Sequence, residues 1–381
     1  MKYNFDEYIN RRNTHCLKWD ILKSDDELPM WVADMDFSAA PAIKDALQKR
    51  IDLGIFGYNI IPDQWYDAYI SWWDKRHHLK MKKEGLIFST GVIPSLSSIV
   101  RKMTSPGDKV LIQTPVYNIF FNSIINNGRI VLESPLKYDN GNYEIDFEDL
   151  ESKLSDPKTT MIILSNPHNP VGKIWDKKSL QSISELCKKH NVLVVSDEIH
   201  CDITEPGYEY IPFAVIDPDC ITLIAPSKAF NIAGLQSSAI YIQNKEIYEL
   251  VNRGLNTDEC AEPSSFALDA AIAAFNQSED WLYEMNKYIS KNRKLVKEYL
   301  ETNLPNVKLV ESKATYLLWL DLKAYSLSSK DLSDKIREKT GLLLSAGDAY
   351  GECGDGFLRM NIASPEEILM DGLARLKAGL E

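Results

Sequence analysis

Lys228 closes an apolar run, Cys220 to Ala225, inside the stretch Ala225-Pro226-Ser227-Lys228-Ala229-Phe230-Asn231-Ile232-Ala233-Gly234. An ammonium leaving a buried strand is poorly solvated, and desolvation lowers its pKa. A partly neutral amine is a nucleophile towards aldehydes, so Lys228 is a Schiff-base candidate. Taken alone, such a lysine reads as a solvated strand cap. The residues upstream change that.

The run Val192–Ser196 feeds into Asp197-Glu198-Ile199-His200. Asp197 ends a strand that reads as buried on both faces, a costly place for a carboxylate without a cationic partner. It is either the N-cap of a following element or a carboxylate that holds a protonated ring nitrogen. The preceding strand ends in Asn166-Pro167-His168-Asn169-Pro170-Val171-Gly172. Two Asn-Pro steps around one histidine force an extended, turn-rich loop that presents side-chain amides to a cleft. Further back, Ser89-Thr90-Gly91-Val92-Ile93-Pro94-Ser95 joins a glycine turn to a proline-started helix, whose free amides suit a phosphate. Thr114-Pro115-Val116-Tyr117 brings an aromatic ring to the same sheet edge. There is no G-x-G-x-x-G and no G-x-x-x-x-G-K-[ST], which weakens dinucleotide and P-loop readings. A lysine nucleophile, a buried carboxylate, an asparagine, an aromatic plate and a phosphate cradle together form a kit for pyridoxal phosphate, with the ring as electron sink.

The elements that must position these residues alternate. Apolar runs at Leu86–Ser89, Lys109–Gln113, Arg129–Leu132, Thr160–Ser165, Val192–Ser196, Cys220–Ala225 and Ser238–Ile242 are separated by helical patterns at 94–103, 116–127, 146–154 and 176–190. This predicts an α/β fold with a mostly parallel seven-stranded sheet, ligands binding beyond the strands' carboxyl ends. Helical spacing also covers the stretch after Pro41, residues 60–83 with Trp65, Tyr69, Trp72 and Trp73, and residues 262–302. Strands at Val307–Val310, Tyr316–Asp321 and Phe357–Ile362 and helices at Ser329–Thr340 and Pro365–Leu380 predict a smaller α+β part. The expected division is a large domain over 50–285 and a small one built from 1–49 and 286–381.

The 381 residues carry 44% apolar and 26% charged side chains, an ordinary globular balance. A net charge of −12 argues against nucleic acid or an anionic membrane as the partner. The start does not read as a signal peptide, and no apolar run nears 18 residues. Six scattered cysteines without a C-x-x-C pair read as reduced thiols of a cytoplasmic protein. The histidines lack metal-ligand spacing, so no metal site is expected.

The chain resembles fold-type I, pyridoxal-phosphate-dependent enzymes of the class I/II aminotransferase superfamily, and within it the cystathionine β-lyase (C–S lyase) branch. The motifs that carry the resemblance span most of the sequence: Trp31-Val32-Ala33-Asp34-Met35-Asp36-Phe37, Phe56-Gly57-Tyr58, the Asn166–Gly172 loop, Asp197-Glu198-Ile199-His200, Ser227-Lys228 and Phe357-Leu358-Arg359-Met360-Asn361. The opening Trp-Val-Ala-Asp-Met-Asp-Phe points to the lyase branch. The resemblance implies that Lys228 carries the cofactor, Asp197 pairs with its ring nitrogen and Tyr117 stacks on its face. Asn169 and His200 would flank the phenolic oxygen, His200 standing where many relatives have tyrosine. The amides of Val92 and Ile93 with Ser227 would hold the phosphate, and Tyr58 would reach the phosphate of a neighbouring subunit in a homodimer with shared sites. Arg359 would clamp the substrate α-carboxylate by a two-pronged bond, with Tyr117 and Asn169 alongside. The chain departs from many aminotransferases eight residues after the lysine, where Gln236 replaces a phosphate-binding arginine. The implied reaction is α,β-elimination of cystathionine or another S-substituted L-cysteine to a thiol, pyruvate and ammonia. The alternatives are an aminotransferase using the same residues and, more remotely, a regulatory or binding protein on the same fold.

Overall fold

The computed structural model describes residues 2–381. Seven strands form the large sheet: β1 (Leu86–Ser89), β2 (Lys109–Ile112), β3 (Ile130–Glu133), β4 (Thr159–Ser165), β5 (Leu193–Asp197), β6 (Ile221–Ile224) and β7 (Ser238–Ile242). Their order is β1-β7-β6-β5-β4-β2-β3. Only β7 runs antiparallel to its neighbours; every other pair is parallel. The mostly parallel sheet expected from the alternating pattern is therefore present.

The central strands are apolar at successive positions because helices cover both faces. Alternation sorts their side chains into two cores. Ile162 and Leu164 of β4 face one, and Met161 and Ile163 the other. Register places Ser165 beside Asp197 and Asp197 beside Leu223, so the polar residues that end these strands share one edge of the sheet.

A second, antiparallel sheet has the order β8-β9-β11-β10, from β8 (Lys308–Leu309), β9 (Leu317–Asp321), β10 (Ser345–Ala346) and β11 (Phe357–Asn361). The N-terminal segment docks on this part. Leu28–Pro29 pairs with Leu342–Leu343, Asn361 N donates to Met30 O at 2.9 Å, and Asp36 N to Ala363 O at 2.8 Å. The tryptophan-rich pattern forms the helix Asp63–His77, with Trp65, Tyr69, Trp72 and Trp73 all buried.

Three local readings differ from expectation. The helical stretch 262–302 is two helices, Ser265–Gln277 and Glu279–Asn303, divided at Ser278, whose hydroxyl donates back to Ala273 O. The pattern at 116–127 shortens to Ile119–Ile125, leaving Tyr117 in the turn before it. A helix at Lys245–Thr257, capped by Asn244, was not anticipated. Its Gly254 weakens the pattern but permits close packing: a Cβ there would come 3.2 Å from Lys102 Cγ of the helix Val92–Met103.

Candidate active site

The carboxyl ends of β4, β5 and β6 and the start of the helix Val92–Met103 enclose a cavity of about 270 Å³. Val92, Ile93, Tyr117, Asn169, Asp197, His200, Ser227 and Lys228 all line it, as does Gln236. Residues as far apart in sequence as Ala33 and Ser237 are thereby brought together by register and crossover. The helix start is open. Gly91 supplies no side-chain cap, and the first amides of a helix have no partner within it.

Lys228 is half-buried, its amine turned into the cavity that it lines. Its Nζ donates to Ala33 O at 2.7 Å. Burial, and then the positive charge of Arg359, push its pKa down to about 8, against the opposing pull of Asp34 and Asp197. Asp197 is buried and accepts one backbone bond, from Ile199 N at 3.1 Å. Burial raises its pKa to about 7, with the Ile199 amide and Lys228 working the other way. His200 is buried, its Nδ1 has no partner, and burial together with the charges of Lys228 and Arg359 holds its pKa near 3. It is a neutral imidazole. Tyr117 is anchored through its backbone, Tyr117 N donating to Asn169 O at 3.1 Å, and its phenol pKa is raised by burial.

Two expected residues lie outside the cavity lining. Arg359, on β11, reaches the edge of the cavity through Asn169: its Nη1 donates to Asn169 Oδ1 at 3.3 Å and its Nη2 to Trp31 O at 2.9 Å. Tyr58 is fully exposed. With Phe56, Glu262 and Phe266 it lines a separate surface hollow, so within one chain it takes no part in the cavity.

The structure adds groups that sequence reasoning missed. The carbonyl of Ala33 accepts both Lys228 and the buried Tyr316 hydroxyl, the latter at 3.0 Å. The neighbouring carbonyls of Val32 and Asp34 each accept Asn361 Nδ2 at 2.6 Å. Asn231, three residues after Lys228, binds Met35 N, Met35 O and Phe37 O. The Trp31–Phe37 motif is thus a strap tied by its backbone, which leaves no signature in side-chain identity. Ser237 also lines the cavity with an unpartnered buried hydroxyl.

One group of potential metal ligands, His77, Cys201 and Asp202, converges among the described residues. Asp202 is already occupied there by Trp72 Nε1, Arg76 Nε and His77 Nε2, which makes the cluster a buried ion-pair network. The cavity, by contrast, suits an aldehyde with a phosphate arm and a basic ring nitrogen. It offers a nucleophilic amine, open helix amides and a carboxylate without a fixed cationic partner.

The aminotransferase class I and II family matches residues 33–376. A cystathionine beta-lyase, PatB of Bacillus subtilis strain 168, is 44% identical over 385 residues, covering 99% of this chain and all of the relative. Among solved structures, cystalysin from Treponema denticola, which contains a pyridoxal 5'-phosphate cofactor, superposes with a TM-score of 0.97 at 34% identity, covering 100% of this chain and 99% of that one. A pyridoxal-phosphate-bound C–S lyase from Staphylococcus hominis gives 0.94 at 35%, covering 99% and 98%.

Proposed function

We propose that this chain, which belongs to the aminotransferase class I and II family, is a pyridoxal-phosphate-dependent C–S β-lyase acting on cystathionine or other S-substituted L-cysteines. The observation that carries the reading is the half-buried Lys228 amine, shifted towards neutrality and lining a cavity that also holds Asp197. The 44% identity to a cystathionine beta-lyase over the whole length supports the choice of lyase.

When bound, the cofactor supplies an electron sink for the charge that develops at the substrate Cα. The chain's own residues do the rest. Lys228 would anchor the cofactor, and its amine, shifted towards neutrality, would take the substrate Cα proton as general base. Asp197 keeps the ring nitrogen protonated. Asn169 and the neutral His200 would hold the phenolic oxygen, and Tyr117 would hold the ring. The Val92 and Ile93 amides and the Ser227 hydroxyl hold the phosphate, with Gln236 giving a neutral amide where an arginine would add charge. Arg359 fixes the α-carboxylate. The thiolate departs from Cβ, and hydrolysis of the remaining enamine yields pyruvate and ammonia.

A homodimer completes the proposal. Ile51, Leu53, Ile55, Phe56, Tyr58 and Ile60 are exposed within ten residues, a patch that supports association with a second copy and a role for Tyr58 at that copy's phosphate. The sheet architecture and the docking of the N-terminal segment support 50–285 as the cofactor-binding unit and 1–49 with 286–381 as the second. All six cysteines are free, which supports a cytoplasmic location; among the described residues no helix is long and apolar enough to cross a membrane.

Incubation of the purified, cofactor-loaded protein with cystathionine tests the reading. Pyruvate and a free thiol are expected in equal amounts without any added keto acid. Transfer of the amino group to 2-oxoglutarate with no thiol released would overturn the lyase assignment in favour of an aminotransferase.

A further inference from the structure

Arg359 is 5% exposed, yet among the described residues no carboxylate pairs with it. Its two hydrogen bonds go to neutral acceptors, Asn169 Oδ1 and Trp31 O. A guanidinium has five N–H donors, so three are left over, and Nε is buried without a partner. A buried cation in this state needs compensation from elsewhere. The structure provides one source: the guanidinium carbon lies 4.9 Å from the centre of the Tyr350 ring. An aromatic face attracts a cation through its quadrupole without consuming any N–H donor.

Tyr350 is itself held on a platform. Its ring packs edge-on against Trp319 at 5.4 Å, and Trp319 stacks on Phe357 at 5.3 Å with the planes 10° apart. The loop carrying Tyr350 lies close over Trp319 because Gly347 has no side chain; a Cβ there would come 3.0 Å from the indole and 2.2 Å from Gly354 O. The backbone of Tyr350 faces the cavity side, its carbonyl accepting Val116 N at 2.9 Å, one residue before Tyr117.

The geometry points to Tyr350 as the positioning residue of the carboxylate clamp: its ring takes the place of an acidic partner beside the Arg359 guanidinium and leaves three N–H donors without a partner for an anionic substrate group. An aspartate or glutamate in that place would neutralise the arginine and compete with the substrate carboxylate. The aromatic face holds the cation and leaves its charge available. This inference rests on the proposed binding of the substrate α-carboxylate by Arg359.

The test compares wild type, Tyr350→Phe and Tyr350→Leu as cofactor-loaded proteins, each checked for its visible cofactor band near ~420 nm. With an S-substituted cysteine, Tyr350→Leu raises KM about 10-fold and moves kcat less than about 2-fold, while Tyr350→Phe, which keeps the ring, restores KM. Titration of the visible band separates this from a general loosening of the site. The Kd for L-alanine rises by the same ratio in Tyr350→Leu, and the Kd for propylamine, which lacks a carboxylate, does not change. If Tyr350→Leu does not fold, Tyr350→Met carries the same expectation. An unchanged KM and L-alanine Kd, an equal loss in Tyr350→Phe, or an equal loss of propylamine binding each overturns the assignment. If no thiol is released by any variant, the lyase reading fails, while the L-alanine and propylamine titrations still decide the role of Tyr350.

Discussion

Two lysines and two aspartates, all buried except the half-buried Lys228, show how one fold treats the same residue types in opposite ways. In the N-terminal segment, Lys18 Nζ lies 2.6 Å from Asp36 Oδ2, with both side chains almost fully buried. Asp36 also receives the Trp19 indole at 3.0 Å and Arg11 at 2.7 Å. Burial pushes the Asp36 pKa up, but the charge and hydrogen bond of Lys18 outweigh it and leave the pKa below the usual value. In the cavity, Lys228 and Asp197 form no ion pair: the amine bonds a neutral carbonyl, and the carboxylate bonds one backbone amide. Burial goes unanswered there, and the two pKa values approach each other at about 8 and about 7. The N-terminal pair is closed by contact, whereas the pair proposed to be reactive is kept apart, so that each partner stays available for something else.

The largest expected effect of breaking the contrast is on chemistry. Replacing Lys228 with Ala lowers thiol release by at least ~10²–10⁴-fold, the scale of a lost general base, and also removes the cofactor's attachment. The far-ultraviolet circular dichroism and the denaturation midpoint of the cofactor-free protein do not fall. A drop in that midpoint would mean that Lys228 is structural, like Lys18. At the other pair the outcome inverts. Asp36→Asn leaves Lys18 buried with Asp34, 3.7 Å away and shared with Arg11, as its carboxylate partner. Urea denaturation is expected to show a loss of about 3 kcal/mol, the lower end for a broken buried pair because Asp34 remains.

This contrast was only partly legible in the sequence. Lys228 and Asp197 were visible because each ends an apolar run, a pattern that reports burial directly. Asn169 was visible because two prolines bracket its histidine. The pairing of Lys18 with Asp36 was not, since Lys18 lies in an irregular N-terminal stretch where no periodicity reports burial. The Ala33 carbonyl and the Tyr350 ring escaped for different reasons: the first is backbone, and the second becomes a partner of Arg359 only when a loop folds over Trp319. The seven strands and their mostly parallel arrangement followed from alternation, but the Lys245–Thr257 helix depends on packing around Gly254, which local propensity penalises.

The most discriminating expected effect is the pH dependence of the cofactor-free protein. Asp197 is raised from 3.8 to about 7, so between these values the folded chain keeps a proton that the unfolded chain releases. Stability therefore falls as pH rises from about 4 to about 7. Buried Glu198, raised from 4.5 to about 7, acts with the same sign. Lys228 is lowered from 10.5 to about 8, so between 8 and 10.5 the unfolded chain binds more protons and stability recovers with rising pH. Together these groups place a stability minimum between about pH 7 and 8. Asp36, with its lowered pKa, contributes the reverse: its stabilisation is complete above about pH 4 and is lost on acidification through its folded pKa. Asp197→Asn should thus raise the stability of the cofactor-free protein at pH 7.5 by on the order of 2–4 kcal/mol and change it little at pH 4. The same variant, loaded with cofactor, loses ~10²–10³-fold in turnover, because the amide does not stabilise charge on the ring nitrogen. Urea denaturation of both proteins at the two pH values checks this. Equal stability of wild type and Asp197→Asn at pH 7.5 would show that Asp197 is already satisfied within the fold, and the distinction between the two aspartates would collapse.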